Sequence, residues 1–155
     1  MTSTEKRSPS QQELVKGALL SGVMNAVING AIQAWLLRGN DVIPLSVDSI
    51  SAGTPTVLGS AVPLAVSLAM VLTAVAHWTL KGPKKPFFPT TFWLVLKHGL
   101  FAFGALVAGA IVWQRVVGTV DVGLVTAVIL LGLIAGIIST AVNYMTISEI
   151  IMDHP

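Results

Sequence analysis

A chain of 155 residues that is 54% hydrophobic and only 10% charged, with a mean hydropathy of +0.81, lies outside the composition of soluble globular domains. Its formal charge of +2 is scattered along the chain rather than massed on one stretch, so it does not read as a nucleic-acid footprint. The absence of cysteine excludes a disulfide framework, a thiolate metal site and a catalytic thiol.

The first sixteen residues are mixed and polar and read as a cytoplasmic segment, 1–16, leading into the first helix. Ser8-Pro9-Ser10-Gln11 is a capping-box pattern with proline at the first helical position, which places the helix start near Pro9. No cleavable signal is expected, because the first apolar run is already long enough to cross a bilayer. From Gly17 to Leu37 no ionisable residue occurs, and about 20 apolar residues span a ~30 Å hydrocarbon core. Gly39-Asn40 is a stop signal.

Residues 39–54 then form the longest connection, with Val42, Ile43, Leu45, Val47 and Ile50 set among polar residues. It reads as an interfacial loop lying on the bundle, and second as a lid over a mouth. Thr54-Pro55 opens the second span, 57–80, inside which Pro63 removes one backbone donor. Lys81-Gly82-Pro83 ends it, and Lys84-Lys85-Pro86 with Pro89 forms a stiff basic connector. Thr90 or Thr91 is the expected cap of the third span, 92–113. Thr119, with Asp121 in the first turn, is the expected cap of the fourth, 120–146. A short tail, 148–155, follows the transmembrane domain, 17–147. The expected fold is therefore an all-α membrane protein, a four-helix transmembrane bundle running up-down-up-down.

Basic residues set the expected orientation. Lys6, Arg7, Lys16, Lys81, Lys84, Lys85 and Lys97 share one side, and only Arg38 and Arg115 lie on the other. By the positive-inside rule both termini are cytoplasmic, in a bacterial-type inner (plasma) membrane. Trp35 and Trp113 then fall at the outer interface, and Trp78, Phe87, Phe88, Phe92, Trp93 and Tyr144 at the inner one.

Two ridges on the first helix are the most distinctive pattern. Ser21, Asn25, Asn29 and Gln33 recur every four residues and so share a face, beside Ala18, Gly22, Ala26, Gly30 and Ala34. The small ridge suits close backbone approach, and carboxamides in hydrocarbon need partners. The fourth span mirrors this. Gly132, Gly136, Thr140 and Tyr144 form one ridge, with Ala135, Ser139 and Asn143 next to it. Gly22, Ala26, Gly30, Gly132 and Gly136 are thus the expected packing residues. Asn25, Asn29 and Gln33, with Ser67, Ser139, Thr140 and Asn143 opposite, are the candidate solute-binding or pore-lining set; the bland alternative is interhelical hydrogen bonding alone.

His77 and His98 should lie at similar depth near the cytoplasmic end, as a gate or pH-sensitive element. A bis-histidine haem, with room left by Gly99 and Gly104, stands as a further reading behind these. No other cofactor and no metal is expected. No Asp or Glu occurs from Val57 to Val120 or from Leu14 to Asn40, which counts against a proton-driven antiporter. Phosphate-binding glycine loops, nucleophile elbows and zinc motifs are missing, so no enzyme is expected.

Two functional readings follow. The first is a small oligomeric channel- or transporter-like protein with a polar seam for a small solute or ion. The second is an accessory or scaffold subunit of a larger membrane complex, without transport of its own. Its expected partners are the lipid bilayer and either further copies of itself or a membrane complex, with no nucleic acid.

Overall fold

The computed structural model describes residues 11–47, 55–79 and 86–152. Expectations for Ser8-Pro9-Ser10, Thr54, Lys81-Gly82-Pro83 and Lys84-Lys85 lie outside the described residues. Four long helices, α1 (Gln11–Leu36), α2 (Val57–Thr79), α3 (Phe92–Val116) and α4 (Leu124–Met152), carry two short strands, β1 (Val42–Leu45) and β2 (Val120–Gly123). All four helices are long and apolar enough to cross a membrane.

Helix boundaries follow local chemistry. Gly39 takes φ 94°, a conformation glycine adopts without a Cβ penalty, and Asn40 donates from both backbone N and Nδ2 to the Leu37 carbonyl. Thr56 caps α2, its hydroxyl accepting from the Gly59 N–H at 3.1 Å, two residues beyond the expected cap. Thr91 does not cap α3 through its side chain; it is helical, and its hydroxyl meets His77 instead. Before it, Phe87–Thr91 forms a wide turn in which Phe88 is extended and the Phe88–Pro89 bond is cis. Gly118, at φ 81°, ends α3.

The connections that follow α1 and α3 differ from expectation. Val120–Gly123 is not the first turn of the fourth helix but a strand, so neither Thr119 nor Asp121 caps α4. It pairs antiparallel with Val42–Leu45, Val42 opposite Gly123 and Leu45 opposite Val120. Ile43 and Leu45, two residues apart, turn one face of this ribbon onto the helices and are buried. Pro44 is tolerated because each strand of a two-stranded ribbon is an edge. The 39–47 stretch is thus ordered backbone tied to the α3–α4 connection.

The helices form an open row, α1–α4–α2–α3, rather than a closed ring. Among the described residues α1 packs substantially on α4 alone, while α2 packs on both α3 and α4. Every-fourth-residue spacing gives α2 a ridge of Ala61, Ala65, Ala69 and Thr73, all fully buried. Such small side chains let three helices meet closely where hydrocarbon offers no hydrophobic drive to association. One apolar cluster under the ribbon joins Leu37, Ile43, Leu45, Val57 and Leu131; a second joins Ala65, Ala69, Ala102, Ile138 and Val142.

Candidate functional site: the α1–α4 seam

Glycines set the distance between α1 and α4. A Cβ on Gly22 would collide with the Thr140 hydroxyl and lie 2.8 Å from the Gly136 carbonyl. On α4, a Cβ at Gly132 would come within 3.0 Å of the Ala26 carbonyl, and one at Gly136 within 3.0 Å of the Ala26 Cβ. At Gly30 the nearest atoms are 3.9 Å away, so this end of the seam is looser. Contacts pair low numbers on α1 with high numbers on α4, so the two helices run antiparallel. Gly22, Ala26, Gly132 and Gly136 line the close approach of the two helices, with Gly30 at its looser end.

Beside it runs a hydrogen-bonded zipper. Asn25 Nδ2 donates to the buried Ser139 hydroxyl and to the Ser21 carbonyl, both at 2.9 Å. Ser21 Oγ lies 3.3 Å from Ser139 Oγ, and Asn143 Nδ2 donates to Ser21 Oγ. Four polar side chains from two helices therefore satisfy one another directly, which is how polar groups are tolerated at bilayer depth.

The rest of the candidate set behaves differently. Asn29 donates to the carbonyl of Asn25 on its own helix at 2.9 Å, and Gln33 is buried one turn further on. Thr140 donates to the Gly136 carbonyl at 2.9 Å, again within its helix. Ser67 is exposed and donates to the Leu64 carbonyl, on the face of α2 opposite its buried ridge. The structure thus brings Asn25, Ser139 and Asn143 together and leaves Ser67 apart from Asn29. Ser21, part of the polar ridge but not of the candidate set, is the hub of the zipper.

The histidines lie along the α2–α3 contact, each held by threonine. His98 is fully buried, with Nδ1 2.8 Å from Thr73 Oγ1 and 3.2 Å from Thr146 Oγ1. Thr73 already donates to the Ala69 carbonyl at 2.8 Å. Its oxygen is therefore left to accept, which assigns the His98 proton to Nδ1. His98 Nε2 has no partner among the described residues. His77 Nδ1 lies 2.9 Å from Thr91 Oγ1, with Phe87 edge-on to its ring at 5.4 Å. One turn from Thr146, Lys97 pairs with Glu149 at 2.5 Å.

Thr73, Thr91 and Thr146 are the partners that sequence reading missed. No spacing in the sequence ties any of the three to its histidine, since Thr73 and Thr146 reach His98 from other helices and Thr91 reaches His77 from beyond the α2–α3 connection. A bis-histidine haem does not fit. Met70 fills the space beside Gly99, within 2.9 Å of where a Cβ would stand, while Gly104 is exposed with nothing near it.

Four helices long and apolar enough to cross a membrane, with the polar side chains of the seam hydrogen-bonded within or between helices, are compatible with a multi-pass membrane protein. Comparison with protein-family models, curated proteins and solved structures finds no match.

Proposed function

We propose that this chain is a non-enzymatic membrane subunit that works by docking other membrane helices, with both termini cytoplasmic and the ribbon outside. The zipper closes the polar seam from within the chain: Ser21, Asn25, Ser139 and Asn143 hydrogen-bond directly across α1 and α4, which argues against a solvated path. The observation that carries the docking reading is the open helix row. Leu20, Val23, Val27 and Trp35 of α1 stay exposed, as do Leu100 and Phe103 of α3, so both ends of the row present apolar faces to bilayer or partner. An up-down-up-down course in a bacterial-type inner membrane agrees with the seven-to-two division of basic residues.

A channel- or transporter-like role, within an oligomer, keeps one observation of its own. Asn29 gives its amide to its own helix and not to α4, so it is the seam residue best placed for a solute. Cysteine accessibility separates the two readings on this cysteine-free background. In the docking reading, Asn29→Cys stays unreactive toward small hydrophilic thiol reagents while the exposed control Asp41→Cys reacts, and the protein co-purifies with larger membrane partners in mild detergent. A reactive thiol at residue 29, in a protein that purifies as a lone homo-oligomer, would replace docking with transport. Labelling of Lys84→Cys by an impermeant reagent applied outside would overturn the orientation.

A further inference from the structure

Contact between α3 and α4 is slight, and its polar contacts lie at one end. His98 meets Thr146 there, and Lys97 meets Glu149. Towards the ribbon the two helices separate, and the gap between them is a groove of about 320 Å³ over α2. Leu45 of β1, Leu58 of α2, Ala105, Gly109 and Trp113 of α3, and Ile134 of α4 are among its walls. All ten lining residues are aliphatic, glycine or tryptophan, so water has no set of polar partners there.

We propose that this groove holds one acyl chain of a glycerophospholipid from the leaflet on the ribbon side. Size is the first argument. An apolar cavity of about 150 Å³ accommodates a six-carbon ring, so ~320 Å³ accommodates on the order of a dozen carbons. That many methylenes reach through much of one leaflet, half of the ~30 Å hydrocarbon core. A partner helix is the wrong shape. One turn, ~10 Å across and 5.4 Å long, displaces about 400 Å³, more than the whole groove. Position is the second argument. The groove occupies the ribbon half of the spans and ends at Trp113, an indole of the kind that sits at headgroup level. Gly109 leaves the middle open, since a Cβ built on it meets nothing within 4 Å. The site is independent of whether the chain docks partners or carries a solute.

The test uses the full chain, reconstituted in vesicles of palmitoyl-oleoyl phosphatidylcholine and phosphatidylglycerol, extracted gently and weighed by native mass spectrometry. The wild type should keep one phospholipid per chain, with the two headgroups retained alike because only the tail is gripped. Gly109→Leu sets a bulky side chain in the groove from a position where the added Cβ meets nothing within 4 Å, and should lower retention at least tenfold. Gly104→Leu, on an equally open glycine outside the groove, should leave it unchanged. Ala105→Leu is the second groove-filling variant should Gly109→Leu not fold, as read by its ellipticity melt. Wild-type protein free of lipid, or equal retention in all variants, would overturn the proposal. So would strong headgroup preference, or a dimer that Gly109→Leu abolishes, which would give the groove to a second copy.

Discussion

Replacing Gly22 by alanine adds one methyl group at the tightest point of the α1–α4 seam. The new Cβ would overlap the Thr140 hydroxyl and stand 2.8 Å from the Gly136 carbonyl. Thr140 can turn only by giving up its bond to Gly136, and the carbonyl is backbone, so α1 must retreat. Overpacking of this kind costs about 1–3 kcal/mol. The retreat also stretches the Ser21–Ser139, Asn25–Ser139 and Asn143–Ser21 bonds, each worth about 0.6 kcal/mol in a membrane. Gly22→Ala should therefore destabilise the α1–α4 pair by about 2–4 kcal/mol, read as unfolding free energy in bicelles under graded denaturing detergent. Gly30→Ala, whose Cβ meets its first neighbour at 3.9 Å, should cost under about 0.5 kcal/mol beyond measurement error. Adding Thr140→Ala to Gly22→Ala should recover only part of the loss, because the Gly136 carbonyl remains. Equal costs at Gly22 and Gly30, or full rescue by Thr140→Ala, would refute the close-packed seam.

Three other substitutions, two of them paired with a control, probe the rest of the molecule, chiefly by the same measurement. Ser139→Ala removes the acceptor that Asn25 reaches across the seam and should cost about 0.6–2 kcal/mol, whereas Ser67→Ala should be neutral; a larger effect at Ser67 would mean that it faces a helix after all. His98→Ala opens a cavity among α2, α3 and α4 and should cost about 2–4 kcal/mol, against under 1 for the exposed Lys97→Ala. Ile43→Ala, beneath the ribbon, should cost about 2–4 kcal/mol and speed proteolysis in the 39–47 stretch; unchanged cleavage would show that the ribbon does not depend on this side chain.

Length and period made the helices legible. Apolar runs at 17–37, 57–80, 92–113 and 120–146 correspond to α1, α2, α3 and α4. The four-residue ridges also gave the pairing of the first helix with the last, down to the level of Asn25 with Ser139. What escaped was everything that depends on a distant partner. Four residues, Val42–Leu45, give too short an alternation to read as a strand, and their mate is almost eighty positions away across two helices. Threonines beside the helix starts look like caps in sequence, yet Thr91 turns to His77. Depth counting put Ser67 opposite Asn29, but depth does not fix azimuth, and α2 directs that face away from the row.

The open row has a consequence for how the protein is made. α1 is synthesised well before α4, its one substantial helix partner among the described residues, and Asn25 waits for a serine 114 residues downstream. At ~5–20 residues per second that interval is on the order of ten seconds. During it α1, the least hydrophobic of the four spans, sits in lipid with the Asn25 carboxamide unmatched across the seam. Its retention in the bilayer over that time falls to the insertion machinery or to a neighbouring polar helix. A nascent chain arrested before residue 124 should therefore release α1 from the membrane more readily than the finished protein does.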